Sequence, residues 1–299
     1  MRALVITASH DYLAGLHPFL NALEYYHHKD LDVYILHTEE LSKDYVNFVK
    51  DRFSYTIIPV SVEEWGDQTL GINANCIWAK YHLITTLKGY SAICHIDADC
   101  LLLGSLDYAF NLVDNTNTIC CPYNSRAAYK FEDYDKIDIE TYCIHQVLYN
   151  YPIFFNPNKH MDIMHYMWDN RDLLNPSYDP ILFNKSLFDL DKHKDVKPLD
   201  SDSWCCDTIL HYSAMTLDFN QELKIINPEG NRVIIWHSRF WINSINEETL
   251  KGCQGDFYKF AKQNIDIGIK AVDYYSNNCT VTKKEVFTND PRCEYFFTR

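Results

Sequence analysis

The chain has 299 residues, 27 basic and 41 acidic, with a formal net charge of −14 and 47% hydrophobic residues. The acidity argues against a protein that grips nucleic acid through clustered Lys and Arg, without excluding nucleic acid as a partner, and equally against a polybasic membrane anchor. The apolar content excludes a disordered chain. A negatively charged ligand would then need a metal cation or a few focused basic residues.

In chain order, Ala3 to Ala8 is a short apolar run, the pattern of a buried parallel strand. Polar residues interrupt it and no small-residue cleavage site follows, so the start reads as a strand and not a signal peptide. From about Tyr12 to His28, Leu13, Leu16, Leu20 and Leu23 form a helical stripe. Asp32 to His37 is a second strand, and Ser42 is placed to cap a helix carrying Tyr45, Val49 and Phe53 on one face. Tyr55 to Val60 is a third strand. From Asn75 the spacing of Ile77, Tyr81, Ile84 and Leu87 predicts a helix, with Gly89 as its C-terminal cap. Ala92 to Ile96 is a fourth strand, ending in Asp97-Ala98-Asp99. This alternation predicts an α/β fold, with a mostly parallel central sheet flanked by helices and ligands bound beyond the carboxyl ends of the strands.

The second half is less regular. Thr118 to Cys121, Tyr151 to Phe155 and Val233 to His237 read as strands, and His160 to Trp168 and Thr208 to Met215 as helices. Tyr123 to Tyr149 carries no assignable period, and Asn175 to Ser203, with Pro176, Pro180 and Pro198, reads as loop. Residues beyond about Ile245 form a helical extension. No run of about 18 apolar residues exists to span a bilayer. The eleven cysteines include no C-x-x-C pair, and the doublets Cys120-Cys121 and Cys205-Cys206 lack zinc-ligand spacing. Reduced, buried thiols and a cytoplasmic location follow, and the sequons at Asn184 and Asn278 then carry no meaning.

D-x-D occurs five times, at Asp30/Asp32, Asp97/Asp99, Asp133/Asp135, Asp189/Asp191 and Asp200/Asp202. Four lie in polar, turn-like surroundings and read as solvated acids. Asp97/Asp99 closes a buried strand and is followed at once by the apolar run Cys100 to Leu103. Carboxylates facing desolvation need a cation or several donors. At a strand's carboxyl end they suit a hard divalent metal, Mn²⁺ or Mg²⁺, with positions left for phosphate oxygens.

The segment HIDADCLLLGSLDYAF, His95 to Phe110, resembles the D-x-D strand of GT-A fold glycosyltransferases, those of the retaining family 8 in particular. The opening VITASHDYLAGL resembles that family's first strand and donor loop, which implies nucleotide contacts at Thr7, Ser9 and Asp11 and stacking of Tyr12 on uracil. Lys80 stands where the family has an Arg reaching the donor, and Asp97, Ala98 and Asp99 form the donor- and metal-binding segment. Cys206-Asp207-Thr208-Ile209-Leu210 is similar to the D-Q-x-x-L segment near the anomeric carbon, which makes Asp207 the catalytic candidate. Ile234-Ile235-Trp236-His237 is similar to the late strand whose His joins Asp97 and Asp99 as metal ligand. The resemblance covers residues 1–245, a donor-binding half of about 1–122 and an acceptor-side half of about 123–245, with 246–299 as an extension packed on it.

Three departures stand out. Thr208 replaces the family's Gln; Ser238-Arg239-Phe240-Trp241 replaces a Gly and Lys phosphate clamp; and Asn156-Pro157-Asn158 replaces an Asn-Ala-Gly turn, changing the acceptor side. The fork of Arg239 suits a diphosphate.

Each site residue also has a plainer reading. His237 fits a structural histidine, Tyr12 a packing aromatic at a helix start, Asp207 an N-terminal helix cap, and Lys80 a solvated charge on a helix of mixed faces. The functional reading is transfer of a sugar, by a hexosyl- or pentosyltransferase, from a nucleotide-diphosphate sugar, UDP-linked by the resemblance, to a glycan or other hydroxyl acceptor with retention. A nucleotidyltransferase would want a Gly-rich loop after the first strand, where Thr7-Ala8-Ser9-His10-Asp11 has none. A non-catalytic sugar-nucleotide-binding protein and a DNA-base-modifying glycosyltransferase remain as alternatives, the latter against the charge.

Overall fold

The four apolar runs of the first hundred residues form parallel strands, β1 (Arg2–Ala8), β2 (Asp32–Thr38), β3 (Thr56–Val60) and β4 (Ala92–Asp97). Between them run α1 (Leu13–His27), α2 (Lys43–Phe53) and α3 (Gly71–Thr86). The computed structural model describes residues 1–8, 13–27, 31–38, 43–53, 55–60, 71–98, 100–123, 148, 151–173, 179–207, 216–218, 224–226 and 230–237. β5 (Cys100–Leu102) follows β4 and leads into α4 (Asp107–Thr116). Then come β6 (Ile119–Tyr123), β7 (Ile153–Phe155), α5 (Pro157–Asp169), α6 (Asp179–Asp189), β8 (Val196–Asp200) and the short α7 (Ser201–Trp204). The last strands among the described residues are β9 (Cys206–Asp207), β10 (Thr216–Asp218), β11 (Lys224–Ile226) and β12 (Ile235–His237).

The main sheet has seven strands in the order β3-β2-β1-β4-β7-β6-β8. Only β7 runs against the others, antiparallel to both β4 and β6. Alternation along each strand divides the core between the two faces. Leu4, Ile6 and Ala8 of β1 pack with Leu16, Phe19 and Leu20 of α1 and Phe110 and Val113 of α4. Ala3 and Val5 pack on the other face with Trp78, Tyr81 and Ile84 of α3 and Ile163 and Met167 of α5. Helices on both faces of a mostly parallel sheet are what the alternating pattern predicts.

Several local expectations are corrected. Gly89 has φ +84°, a left-handed turn position that favours glycine, but it lies three residues beyond the end of α3 at Thr86 and not at the expected cap. α3 begins at Gly71, ahead of the expected Asn75, and α5 begins at Pro157, ahead of His160. Asn156 caps α5 by accepting from the Asn158 N–H at 2.9 Å, and Pro157 takes the first helical position, where a missing N–H is harmless. Asn156-Pro157-Asn158 is thus a helix start.

Within the stretch expected as loop, residues 179–203 are not loop. They hold α6, β8 and α7, because Pro180 sits in the first turn of α6 and Pro198 on β8, an edge strand whose outer side needs no donor. Asp207 closes strand β9, and the helix expected to start there lies outside the described residues. The expected helix at 208–215, most of the Tyr123 to Tyr149 stretch and the C-terminal extension lie outside the described residues, as does Ser42.

Cys94, Cys100, Cys120, Cys121 and Cys205 are free and buried. Burial pushes the Cys120 thiol up to about 11 and those of Cys94 and Cys121 well above the ordinary value, so they act as small apolar side chains.

The sequon residue Asn184 is fully buried in α6. Its Nδ2 donates to the carbonyls of Leu148 at 2.9 Å and Pro180 at 2.6 Å, and its Oδ1 accepts from the Leu148 N–H at 3.3 Å. An amide so engaged is no glycan acceptor in the folded chain. Asn184→Ala deletes all three bonds and is expected to cost about 2–4 kcal/mol. An unshifted urea midpoint would contradict this.

Candidate active site

β1 and β4 end side by side, with Thr7 in register with Asp97. By strand alternation Thr7, His95 and Asp97 face α3. The Thr7 hydroxyl donates to Asp97 Oδ1 at 3.2 Å, and the Ala98 N–H donates to the Thr7 carbonyl at 3.1 Å. Sequence reading anticipates the Thr7, Asp97 and Ala98 grouping, and the structure brings the three together.

Lys80 differs from the solvated charge of its plainer reading. It is 1% exposed, because α3 is covered by the sheet on one side and by α5 on the other. Its ammonium lies 2.9 Å from Asp179 Oδ2 and 3.5 Å from Asp97 Oδ1. The Tyr81 hydroxyl donates to the same Asp179 oxygen at 2.8 Å. Asp179 opens α6 and is itself buried. Burial works against the Lys80 charge, but the carboxylates of Asp179 and Asp97 outweigh it and hold the lysine pKa above its ordinary value.

His95 Nε2 stands 3.2 Å from Asp97 Oδ1 without hydrogen-bond alignment. Burial first, and then the neighbouring Lys80 charge, lower its pKa, which makes it a neutral imidazole. Among the described side chains, one ammonium stands between two carboxylates, beside a neutral His95. Of the two acids, Asp97 is the more open, with its side chain 26% exposed at the strand end.

The chain beyond Asp97 forms a second, three-stranded sheet in the order β5-β12-β9. In its register Cys100, the residue after Asp99, pairs with His237, and His237 pairs with Asp207. The approach is close: a Cβ at Gly104, after β5, would come 2.7 Å from Ile234 Cδ1. Three segments far apart in sequence therefore share one row beyond β4. Asp99 itself, Ser9, Asp11, Tyr12 and Arg239 lie outside the described residues, and only the backbone of Asp207 and His237 is described.

Among the described residues no group of three His, Cys, Asp or Glu side chains gathers around one point. The donor chemistry nevertheless fits a hard divalent cation: a part-exposed carboxylate at a strand's carboxyl end, a second carboxylate behind it across Lys80, and the His237 and Asp207 backbones in the adjoining row. Asp179 and His95 are site residues that sequence reading misses. For Asp179 a signal exists, an Asp-Pro step opening the apolar run Ile181-Leu182-Phe183, which is a helix start.

No protein-family model and no curated protein matches the chain. Solved structures do. The galactosyltransferase LgtC in complex with donor and acceptor sugar analogs is 12% identical, with a TM-score of 0.53 over 95% of this chain and 98% of that one. The apo-form glycosyltransferase GlyE of Streptococcus pneumoniae TIGR4 is 13% identical, with a TM-score of 0.51 over 93% of this chain, which spans 63% of GlyE's length. Mouse xyloside xylosyltransferase 1 in its apo form is 9% identical, with a TM-score of 0.52 over 81% of this chain and 99% of that one. At these identities the likeness is one of fold, and the fold is the GT-A glycosyltransferase fold. No helix among the described residues is long and apolar enough to cross a membrane.

Proposed function

We propose that the protein is a metal-dependent glycosyltransferase that moves a sugar, with retention, from a UDP-sugar to a glycan or other hydroxyl acceptor. The observation that carries the reading is the row Cys100, His237, Asp207 set against the Thr7 and Asp97 pair at the ends of β1 and β4. The likeness of fold to glycosyltransferases, one of them seen with donor and acceptor sugar analogs, supports it.

In this reading Asp97, Asp99 and His237 hold Mn²⁺ or Mg²⁺, which when bound offsets negative charge on the departing diphosphate. Thr7, Ser9, Asp11 and Tyr12, on β1 and in the connection after it, receive the nucleotide together with Ala98. Arg239 adds positive charge where negative charge develops, and Lys80 serves the donor through Asp97. Asp207 stands by the reacting carbon. Residues 1–245 form the catalytic domain, with 246–299 as its extension, and the buried free thiols support a reducing compartment.

A thermal-shift titration with UDP, with and without Mn²⁺, tests this. Ligand at one hundred times its Kd stabilises the native state by about 2.7 kcal/mol, so UDP with Mn²⁺ is expected to raise Tm by several degrees, and UDP alone far less. Asp99→Asn is expected to remove the Mn²⁺ dependence. No shift with UDP and Mn²⁺ in the wild type would overturn the reading.

A further inference from the structure

β4 carries a histidine where a strand covered on both faces calls for an apolar residue. In register, His95 stands between Val5 of β1 and Ile153 of β7, neither of which offers a polar side chain. The imidazole is 1% exposed, and neither ring nitrogen has a hydrogen-bond partner. Buried polar groups are nearly always bonded, so a bare imidazole inside a sheet calls for an explanation. Its Nε2 lies 3.2 Å from Asp97 Oδ1, on the same face of the strand. That oxygen accepts from the Thr7 hydroxyl at 3.2 Å and lies 3.5 Å from the Lys80 ammonium.

The distance from His95 to Asp97 suits a hydrogen bond, and only the alignment is missing. The outer torsion of a histidine is broad, so a small turn of the ring supplies it. A bare Nε2 would set its lone pair against the carboxylate oxygen, which places the proton on Nε2. Hydrogen bonds in unliganded sites are often poorly aligned and tighten on loading.

We propose that His95 is a positioning residue for Asp97, its Nε2–H donating to Oδ1 beside the Thr7 hydroxyl so that the carboxylate meets a divalent cation in a fixed orientation. The inference rests on the glycosyltransferase reading and adds to it a residue to which the resemblance gives no role. Hydrogen bonds to a ligating carboxylate orient it, and losing one weakens metal binding about tenfold or more.

Three variants separate this role from packing. His95→Gln carries an amide N–H to about the place of Nε2, His95→Asn only to that of Nδ1, and His95→Leu carries none. Mn²⁺ affinity is read from the paramagnetic resonance of free Mn²⁺ in the presence of saturating UDP, with metal-free thermal melts on each protein. His95→Gln is expected within about threefold of wild type, and His95→Asn and His95→Leu at least about tenfold weaker. Equal affinity in His95→Gln and His95→Asn, wild-type affinity in His95→Leu, or affinities that simply follow Tm overturn the proposal and leave the glycosyltransferase reading standing. Should His95→Leu fail to fold, the comparison of His95→Gln with His95→Asn decides alone.

A second measurement needs no metal. Long-range proton–nitrogen NMR of histidine-labelled wild type, with the His95 signals identified by their absence in His95→Gln, is expected to show a proton on Nε2. A bare Nε2 overturns the proposal alone. A wild type that binds no Mn²⁺ with UDP overturns the reading, and the proposal falls with it.

Discussion

Lys80→Met is expected to destabilise the protein by about 3–5 kcal/mol, the cost of leaving a buried ion pair with one partner missing. The ammonium is 1% exposed and lies between Asp97 and Asp179, so its removal leaves two carboxylates around an apolar side chain. Asp97 keeps the Thr7 hydroxyl and its partly open position, whereas Asp179 keeps the Tyr81 hydroxyl and is 7% exposed. The more deeply buried of the two acids is therefore Asp179. It follows that Lys80→Met combined with Asp179→Asn should be more stable than Lys80→Met alone, a non-additivity that urea melts on wild type, singles and double resolve. A Lys80→Met variant within about 1 kcal/mol of wild type would mean that water or a rearranged partner satisfies these acids and that the network is not structural.

The network also marks where sequence reading stops. Strands β1 to β4 are legible because parallel strands covered on both faces are written as apolar runs, and their order fixes the sheet. Lys80 is misread because α3 has no clean stripe. Trp78, Ala79, Tyr81, Leu83 and Ile84 are all buried, so the helix is apolar nearly all round and its one buried charge falls on no predicted solvent face. Asp179 is missed for a different reason. Pro176, Pro180 and Pro198 together read as breakers, although a proline is harmless in a first helical turn and on a sheet edge, and both conditions are tertiary. Asp97 and its strand end are legible from sequence, whereas the pairing of Cys100 with His237 and of His237 with Asp207 depends on long-range register, which motif order alone implies but does not fix.

That register bears on the second large effect. Asp207→Asn is expected to cut turnover by at least about a thousandfold while leaving UDP affinity within about threefold of wild type, because the loss falls on the transition state. The Asp207 backbone pairs with His237 in the sheet that follows Asp97, and the proposed function sets its carboxylate beside the sugar end of the donor. An inverting enzyme would use it as a base, taking the acceptor proton as the hydroxyl attacks from behind. In a retaining transfer the acceptor approaches on the leaving-group side and the departing diphosphate takes that proton. Asp207 then orients donor hydroxyls and stabilises positive charge on the sugar carbon. Thr208, where the resembling family has Gln, has no base assigned to activate it, so a long-lived covalent intermediate on that residue is not expected. NMR of the product separates the two routes through the anomeric proton coupling. A configuration matching the donor's supports retention. The opposite configuration would make Asp207 the base, and its turnover should then rise with pH along a carboxylate titration that Asp207→Asn abolishes.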